Sequence, residues 1–164
     1  MLVSFFSQGQ IEIKKENQTK IKRTYWDFNK SQIQSRGSYF TDEQGETTDK
    51  HGKWTYYDKF GAIEEVRNYY KGGLYGAVVL FYSNGEKRQQ GFFKYNRQDS
   101  IYFEWYENGE LKVEGEYELD TPKGKWNYYY LDGRLKSVEE VREGAHFLWQ
   151  FFLPDSLHTP TITD

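Results

Sequence analysis

Aromatic and polar residues alternate along most of this chain, and the alternation recurs every 24 residues. Two columns of small residues mark the period: Gly61, Gly85, Gly109 and Gly133, and Gly52, Gly76, Ser100 and Gly124. Between them, positions 57, 81, 105 and 129 are Tyr, Phe, Trp and Tyr, and positions 63, 87, 111 and 135 are Ile, Lys, Leu and Leu. A fixed period of this length indicates an array of small repeats, each packed on its neighbours.

Each repeat predicts a β-hairpin, because strand-like alternation stands on both sides of an Asn-Gly or Asp-Gly pair. Two-residue type I′ turns, in which both residues take a positive φ, are predicted at Asn84-Gly85, Asn108-Gly109 and Asp132-Gly133. In the hairpin around Gly109, such a turn places Tyr106 opposite Leu111 and Trp105 opposite Lys112.

The hairpin around Gly109 has one apolar face and one mixed face, because side chains alternate along a strand. The apolar face, which we expect to form the core, carries Tyr102, Tyr106, Leu111, Val113 and Tyr117. The other face carries Phe103 and Trp105 beside Glu110, Lys112, Glu114 and Glu116. Gly91 and Gly115 fall in mid-strand, where a missing side chain lets an aromatic ring lie over the backbone.

The repeats together predict an all-β protein in which tandem hairpins form one elongated, twisted antiparallel sheet. Clear repeats cover residues 52–144, and fainter ones lie at "FSQGQI" (6–11), "FNKSQI" (28–33) and "FLPDSL" (152–157). We therefore expect a single array over residues 1–153 and a C-terminal tail over 154–164. The extra residues between Gly37 and Gly52 suggest a lengthened loop.

Composition supports an ordered chain despite its polarity. Aromatic residues make up 20% of the sequence although the mean hydropathy is −0.95, and disordered segments are poor in aromatics. The absence of cysteine excludes disulfides, thiolate nucleophiles and cysteine-ligated metals. "MLVSFF" has no basic region typical of a signal peptide, and no apolar run is long enough for a membrane span. We expect a cytoplasmic protein.

Charge is distributed unevenly between the two parts of the chain. Residues 1–40 hold seven Lys and Arg against three Asp and Glu, a balance of +4, whereas residues 41–164 carry −7. We interpret the basic run of Lys14, Lys15, Lys20, Lys22 and Arg23 as a solvated strand face. The acidic remainder would repel nucleic acid and anionic membrane surfaces, so we expect neither as a partner.

No group of residues predicts catalysis, a metal site or a cofactor. The three histidines, His51, His146 and His158, are far apart and lack metal-ligand spacing. Two carboxylate pairs, Glu64-Glu65 and Glu139-Glu140, consist of adjacent residues that point to opposite faces of a strand. They therefore do not converge on one substrate, and we expect the protein not to be an enzyme.

One row of residues is a candidate binding surface. Tyr57, Phe81, Trp105 and Tyr129 recur on the mixed face, and the last three are predicted to face Arg88, Lys112 and Lys136. An aromatic ladder covered by cationic side chains stabilises a thin sheet by packing and cation–π contact. An exposed aromatic row also suits a ligand or a partner, and both interpretations stay open.

Several segments resemble a known repeat family. "GAVVLFYSNGEKRQQGFF" (76–93) and "VEGEY" (113–117) resemble the MORN repeat. The 24-residue period, "GKWTYYDKFGAIEEV" (52–66) and "GKWNYYYLDGRLKSVEEV" (124–141) are more similar to its bacterial variant, some members of which are labelled antitoxin or immunity proteins. The sequence departs from the classical pattern at Arg67, Glu139 and Ser100. The resemblance implies a non-catalytic protein-binding or scaffold protein, antitoxin- or immunity-like.

A second resemblance supplies the alternative function. "GKWNYYYLDGRLK" (124–136) is also similar to the choline- or cell-wall-binding repeats of Gram-positive surface proteins, which hold a ligand between aromatic side chains. The present chain lacks their recurrent Gly-Trp and has a longer period. This resemblance implies a glycan or cell-wall ligand bound by the aromatic row.

Overall fold

The computed structural model describes residues 18–142 and 145–152. "FSQGQI" (6–11), Lys14, Lys15, His158 and the tail at 154–164 lie outside these residues. Within them the chain forms strands and no helix. The strands are β1 (Lys22–Tyr25), β2 (Ile33–Asp42), β3 (Gly45–Tyr57), β4 (Ile63–Tyr70), β5 (Gly73–Phe81), β6 (Lys87–Lys94), β7 (Arg97–Gln98), β8 (Ser100–Trp105), β9 (Leu111–Glu118), β10 (Thr121–Tyr129), β11 (Leu135–Arg142) and β12 (Ala145–Phe151).

All the strands belong to one antiparallel sheet in which each pairs with the next along the chain, except β7, which pairs only with β6. The short strands β7 and β8 both pair with β6. The predicted all-β array of tandem hairpins is therefore confirmed. The described residues contain no helix that is long and apolar enough to cross a membrane.

The turns at the Asn-Gly and Asp-Gly pairs differ from the prediction. Gly109 N–H donates to the Tyr106 carbonyl (3.0 Å) and Tyr106 N–H donates to the Glu110 carbonyl (2.9 Å), which defines a three-residue loop. Only the glycine is left-handed, with φ +86° at Gly109. The amide of Asn108 explains this choice: its Oδ1 accepts the Glu110 N–H (3.1 Å), as in Asx turns. The two-residue type I′ prediction for these pairs is wrong.

Two-residue turns with two positive φ values occur at the opposite edge of the sheet. They are Lys71-Gly72 (φ 47° and 81°), Tyr95-Asn96 (51° and 67°) and Leu119-Asp120 (49° and 69°). The flanking pairs, such as Glu118 with Thr121, close the hairpins directly. We call this side the short-turn edge, and the side with the loops at 58–62, 82–86, 106–110 and 130–134 the long-turn edge.

The three-residue loop shifts the strand register by one residue near each turn. Trp105 pairs with Leu111 instead of Lys112, and the predicted register returns at Glu104, which pairs with Val113. Lys112 is the extra residue of a β-bulge, a device that commonly terminates or redirects pairing. The predicted pairs nearest the turn are therefore wrong, whereas those farther from it, such as Tyr102 with Gly115, have the expected register.

The second small-residue column also has a conformational cause. Gly52, Gly76, Ser100 and Gly124 all have positive φ, at 76°, 98°, 68° and 67°. A left-handed residue is favourable for glycine and costs about 1–2 kcal/mol for other residues. Glycine therefore recurs in this column because the backbone is left-handed there, and Ser100 adopts the same conformation although it is not glycine.

The segment predicted to be a lengthened loop is instead a longer hairpin. β2 extends to Asp42 and β3 begins at Gly45, so the turn between them is only two residues long. Two contacts hold this extension together. Thr41 pairs with Glu46, and the Thr47 hydroxyl donates to the Phe40 carbonyl (3.0 Å). The loop prediction is wrong because threonine and aromatic residues in this segment suit strands.

The core lies on one side of the sheet, here called the packed face. Trp54 and Trp126 are 1% and 4% exposed, and Tyr102, Val113 and Val141 are buried beside Trp126. A Cβ on Gly115 would lie closer than 3.0 Å to three carbons of the Trp126 ring, and one on Gly37 would meet Trp54 in the same way. The predicted ring over Gly115 is confirmed. At Gly91 the nearest group is instead the Gln98 amide (3.1 Å).

Candidate binding surfaces

The predicted aromatic row lies at the ends of four strands. Tyr57, Phe81, Trp105 and Tyr129 are the last residues of β3, β5, β8 and β10, and all four are half-buried. Their cross-strand partners are Ile63, Lys87, Leu111 and Leu135. Arg88, Lys112 and Lys136 each lie one position beyond these partners. The pairing predicted for the three cations is therefore wrong, because the three-residue loop shifts the register.

Two of the three predicted cations contact groups outside the row. Lys112 Nζ lies 3.2 Å from a carboxylate oxygen of Glu104, and Lys136 Nζ lies 5.8 Å from the centre of the Tyr130 ring. Arg88 is exposed. Lys87, which the sequence reasoning passed over, has its Nζ 5.4 Å from the Trp105 ring. The sequence did contain a sign of this position, because Lys87 occupies the column that holds Ile63, Leu111 and Leu135 in the other repeats.

Two members of the row contact their own neighbours on the same face. The rings of Phe103 and Trp105 are 5.5 Å apart. The Tyr129 hydroxyl donates to Glu114 Oε1 (2.6 Å), which also accepts from the Asn127 amide (2.9 Å). Burial, together with this bond to Glu114, raises the pKa of Tyr129 to about 12. The row is thus partly engaged in packing, and its role in binding stays a prediction.

A second surface lies at the long-turn edge, beside Tyr57. Phe28 is 99% exposed and Phe60 is 97% exposed, at the tips of neighbouring turns. Trp26 and Ile63 nearby are also exposed. We call these four residues the turn-tip patch. The sequence reasoning missed Phe60, although its column otherwise holds Asn84, Asn108 and Asp132, so an aromatic residue there was a detectable exception.

Phe60 of the turn-tip patch lines a cleft, and hydrogen bonds hold the turns that carry the patch. The cleft has a volume of about 510 Å³, and its walls include Ile33, Tyr57 and Phe60. Trp26 Nε1 donates to the Tyr57 carbonyl (3.1 Å). The Asp27 carboxylate accepts the Ser31 hydroxyl (2.6 Å) and backbone N–H groups, which lower its pKa below the ordinary value. The backbone around both phenylalanines is therefore fixed before any partner binds.

A third surface belongs to the packed face and consists of two related clusters. In the first cluster, Lys50 Nζ lies 4.7 Å from the Trp54 ring and donates to the Tyr56 hydroxyl (2.7 Å). The guanidinium of Arg67 lies 5.2 Å from the Tyr56 ring and forms an ion pair with Glu65 (2.7 Å). The first cluster thus seats two cations of the chain itself on aromatic rings.

The second cluster repeats the aromatic residues but not the cations. Trp126 and Tyr128 stand three periods after Trp54 and Tyr56, and the Tyr117 ring meets Trp126 edge-on at 5.2 Å. The Tyr128 hydroxyl donates to Glu139 (3.0 Å). Burial first, then this hydrogen bond to Glu139, raises the pKa of Tyr128. From the sequence, Glu139 was expected to be only a charge on one face of a strand.

Two further groups complete the second cluster. The Tyr102 hydroxyl donates to Glu104 (2.6 Å), and His146 Nδ1 lies 3.0 Å from Glu139. Trp126 Nε1 is buried with no hydrogen-bond partner among the described residues. Adjacent Glu140 instead pairs with Arg142 (2.7 Å), so the prediction that Glu139 and Glu140 diverge is confirmed.

Comparison with known proteins adds no family. No protein-family model and no curated protein matches the chain.

Proposed function

We propose that this protein is a non-catalytic protein-binding module, antitoxin- or immunity-like in its mode of action. The observation that carries this proposal is the turn-tip patch, where Phe28 and Phe60 are almost fully exposed and Phe60 lines a preformed cleft. Burying a phenylalanine side chain contributes about 1.5–3 kcal/mol. An exposed apolar patch rimmed by polar residues is typical of a protein interface.

The geometry around the patch favours recognition of a folded partner. The hydrogen bonds of Asp27 and Asp58 hold both turns, since Asp58 Oδ1 accepts the N–H groups of Phe60 (2.8 Å) and Ala62 (2.9 Å). A preorganised surface loses less conformational entropy on binding. The single-layer sheet adds a large area for its mass.

The antitoxin- or immunity-like part of the proposal has two supports. The first is the resemblance of residues 52–144 to the bacterial MORN-repeat variant. The second is the balance of −7 over residues 41–164. An acidic protein associates faster with a basic partner, so a basic toxin is the kind of target we propose.

The test is affinity capture from native lysate with three forms of the protein. The double variant Phe28→Ser/Phe60→Asn removes the patch, and Asn is the residue found at the Phe60 position in neighbouring repeats. Leu131→Ser is the matched control, because Leu131 is also an exposed apolar turn residue, 58% exposed, in a distant hairpin.

We expect a stoichiometric polypeptide, identified by mass spectrometry, with the wild type and with Leu131→Ser. The double variant should lose at least nine-tenths of it. Equal capture by all three forms, or no captured polypeptide, would contradict the proposal.

The second candidate function is binding of a glycan or cell-wall component by the aromatic row. It is favoured by the arrangement of Trp105 and Phe103 beside Glu114, whose carboxylate is held by Asn127. Ligand sites commonly combine aromatic walls with a few placed polar groups. In this case Trp105→Ala should abolish retention on an immobilised glycan while circular dichroism stays unchanged. If the wild type itself is not retained, this function is ruled out.

A further inference from the structure

The two clusters of the packed face share a Trp–Tyr pair but carry opposite charges, and Tyr69 of the first cluster corresponds to Val141 in the second. Three periods separate Trp54 from Trp126 and Tyr56 from Tyr128. By the same offset Arg67 corresponds to Glu139, Lys50 to Pro122 and Glu65 to Ser137. The two positions that supply the cations of the first cluster therefore hold a carboxylate and a proline in the second.

The first cluster shows what such a frame accommodates. The ammonium of Lys50 lies 4.7, 5.0 and 5.5 Å from the rings of Trp54, Tyr56 and Tyr69. Attraction between a cation and an aromatic ring is appreciable within about 6 Å of the ring centre. In the first cluster the cation on the aromatic rings is therefore a side chain of the protein itself, Lys50.

The second cluster presents acceptors to solvent where the first has cations. Glu104 and Glu139 are partly exposed, and so are the rings of Tyr117 and Tyr128 between them. Each carboxylate already accepts one phenolic hydroxyl, from Tyr102 or Tyr128. Lys112 contacts Glu104 and His146 contacts Glu139.

The indole N–H groups of Trp54 and Trp126 also differ between the two clusters. Trp54 Nε1 donates to the Ser38 carbonyl (2.9 Å), whereas Trp126 Nε1 is buried without a partner. A buried donor without an acceptor is costly and calls for an explanation. The Trp126 ring reports on this cluster because it contacts Tyr117 and His146. What the second cluster lacks relative to the first is a positive side chain seated on its rings, which a partner peptide supplies.

We infer that the second cluster binds a lysine or arginine side chain of a partner protein, seated on Tyr128 between Glu104 and Glu139. This inference rests on the proposed protein-binding role and specifies the partner's chemistry: a segment with an exposed basic residue. The cation takes the place that Lys50 and Arg67 fill in the first cluster.

The test is a titration followed by the indole N–H resonances in two-dimensional NMR of the full-length protein. The probe is the blocked tripeptide acetyl-Gly-Lys-Gly-amide, and the neutral control is the same tripeptide with norleucine. We expect the lysine peptide to shift the Trp126 resonance saturably. Its half-saturation concentration should be at least tenfold lower than that of the norleucine peptide, and Trp54 should not respond.

Two variants exchange the roles of the clusters. Ser137→Glu/Glu139→Arg copies the Glu65–Arg67 pair into the second cluster and should weaken lysine-peptide binding at least tenfold. Glu107→Gln, at an exposed turn position, changes the net charge by the same one unit as the double variant and should leave binding unchanged. Lys50→Ala should make the Trp54 resonance respond to the lysine peptide, which keeps the test decisive if the double variant does not fold.

Equal responses to the two peptides, or unchanged binding in a folded Ser137→Glu/Glu139→Arg, would overturn the inference. So would a Trp54 resonance that stays silent in Lys50→Ala. Failure of the broader proposal looks different: the lysine peptide binds at Trp126, but no polypeptide is captured through Phe28 and Phe60. Capture through those residues without a Trp126 response contradicts only the cation site.

Discussion

At the scale of single residues, the packed face depends on close approach between tryptophan rings and glycine. Trp126 lies over Gly115 and Trp54 over Gly37, each too near for a Cβ to fit. Both glycines have ordinary φ values, so lack of space is the cause and backbone strain is not. The glycine in mid-strand was predictable from the pattern, whereas the ring that covers it depends on the neighbouring strand.

Gly115→Ala should lower the free energy of unfolding by about 1–3 kcal/mol, the usual cost of overpacking a core. Gly91→Ala is the matched control, because Gly91 is one period earlier and its nearest neighbour is the flexible Gln98 amide. We expect it to change stability by less than about 0.5 kcal/mol. Urea unfolding followed by tryptophan fluorescence measures both, and equal effects would refute the role of Trp126.

His51 is the residue whose titration should affect stability. It is 1% exposed, and its Nδ1 accepts the Lys71 N–H (3.2 Å). Burial first, and the charge of Lys71 second, lower its pKa below the ordinary 6.5. The unfolded chain therefore binds a proton more readily, and stability falls as the pH drops below about 6.5.

His51→Gln keeps an acceptor but cannot titrate. The loss of unfolding free energy between pH 7.5 and pH 5.5 should be smaller in this variant than in the wild type. Chemical denaturation at both pH values gives the difference, in which the other titrating groups cancel. An identical loss in the two proteins would show that His51 does not contribute.

At the scale of elements, the two edges of the sheet use different turns for physical reasons. Asn108 Nδ2 donates to the Leu131 carbonyl (3.1 Å) and the Tyr106 hydroxyl to the Tyr129 carbonyl (2.9 Å), so this long turn is bonded to the next. Asn-Gly suits a type I′ turn locally. The observed loop is instead favoured by the bond from the Glu110 N–H to Asn108 Oδ1, and the contacts with the next hairpin add to it.

Leu119→Asn should raise the free energy of unfolding by about 0.5–1 kcal/mol, because Leu119 is left-handed at φ 49° and asparagine tolerates that conformation better. Glu107→Asn is the control at the opposite edge, where no left-handed residue is replaced, and we expect less than about 0.5 kcal/mol there. Thermal and urea unfolding should rank the two variants in this order. The reverse order would refute the backbone explanation.

At the scale of the whole molecule, the sheet is a linear array in which each strand pairs only with its neighbours. Stability in such arrays accumulates from repeats and their interfaces. A local defect should therefore stay local. This feature follows from the 24-residue period and was predictable once the hairpins were recognised.

Hydrogen exchange should reveal the local response to a defect. Gly115→Ala should accelerate exchange at least tenfold in β8 to β11, while exchange in β3 and β4 should change less than threefold. Mass spectrometry of peptic peptides resolves these segments. Uniform acceleration along the chain would instead indicate one cooperative unit.

The sequence by itself determined the period, the hairpins, the all-β sheet and the central part of the packed face, because alternation and turn residues act locally. Tertiary structure decided the register beside each loop, and with it which lysine lies near Trp105, since the one-residue shift changes the cross-strand partners next to the turn. It also left Phe28 and Phe60 exposed at turn tips and brought Glu139 against Tyr128 and His146. Aromatic and charged side chains contact groups on other strands, as Tyr102 contacts Trp126 and Tyr128 contacts Glu139, so only the assembled sheet shows these contacts.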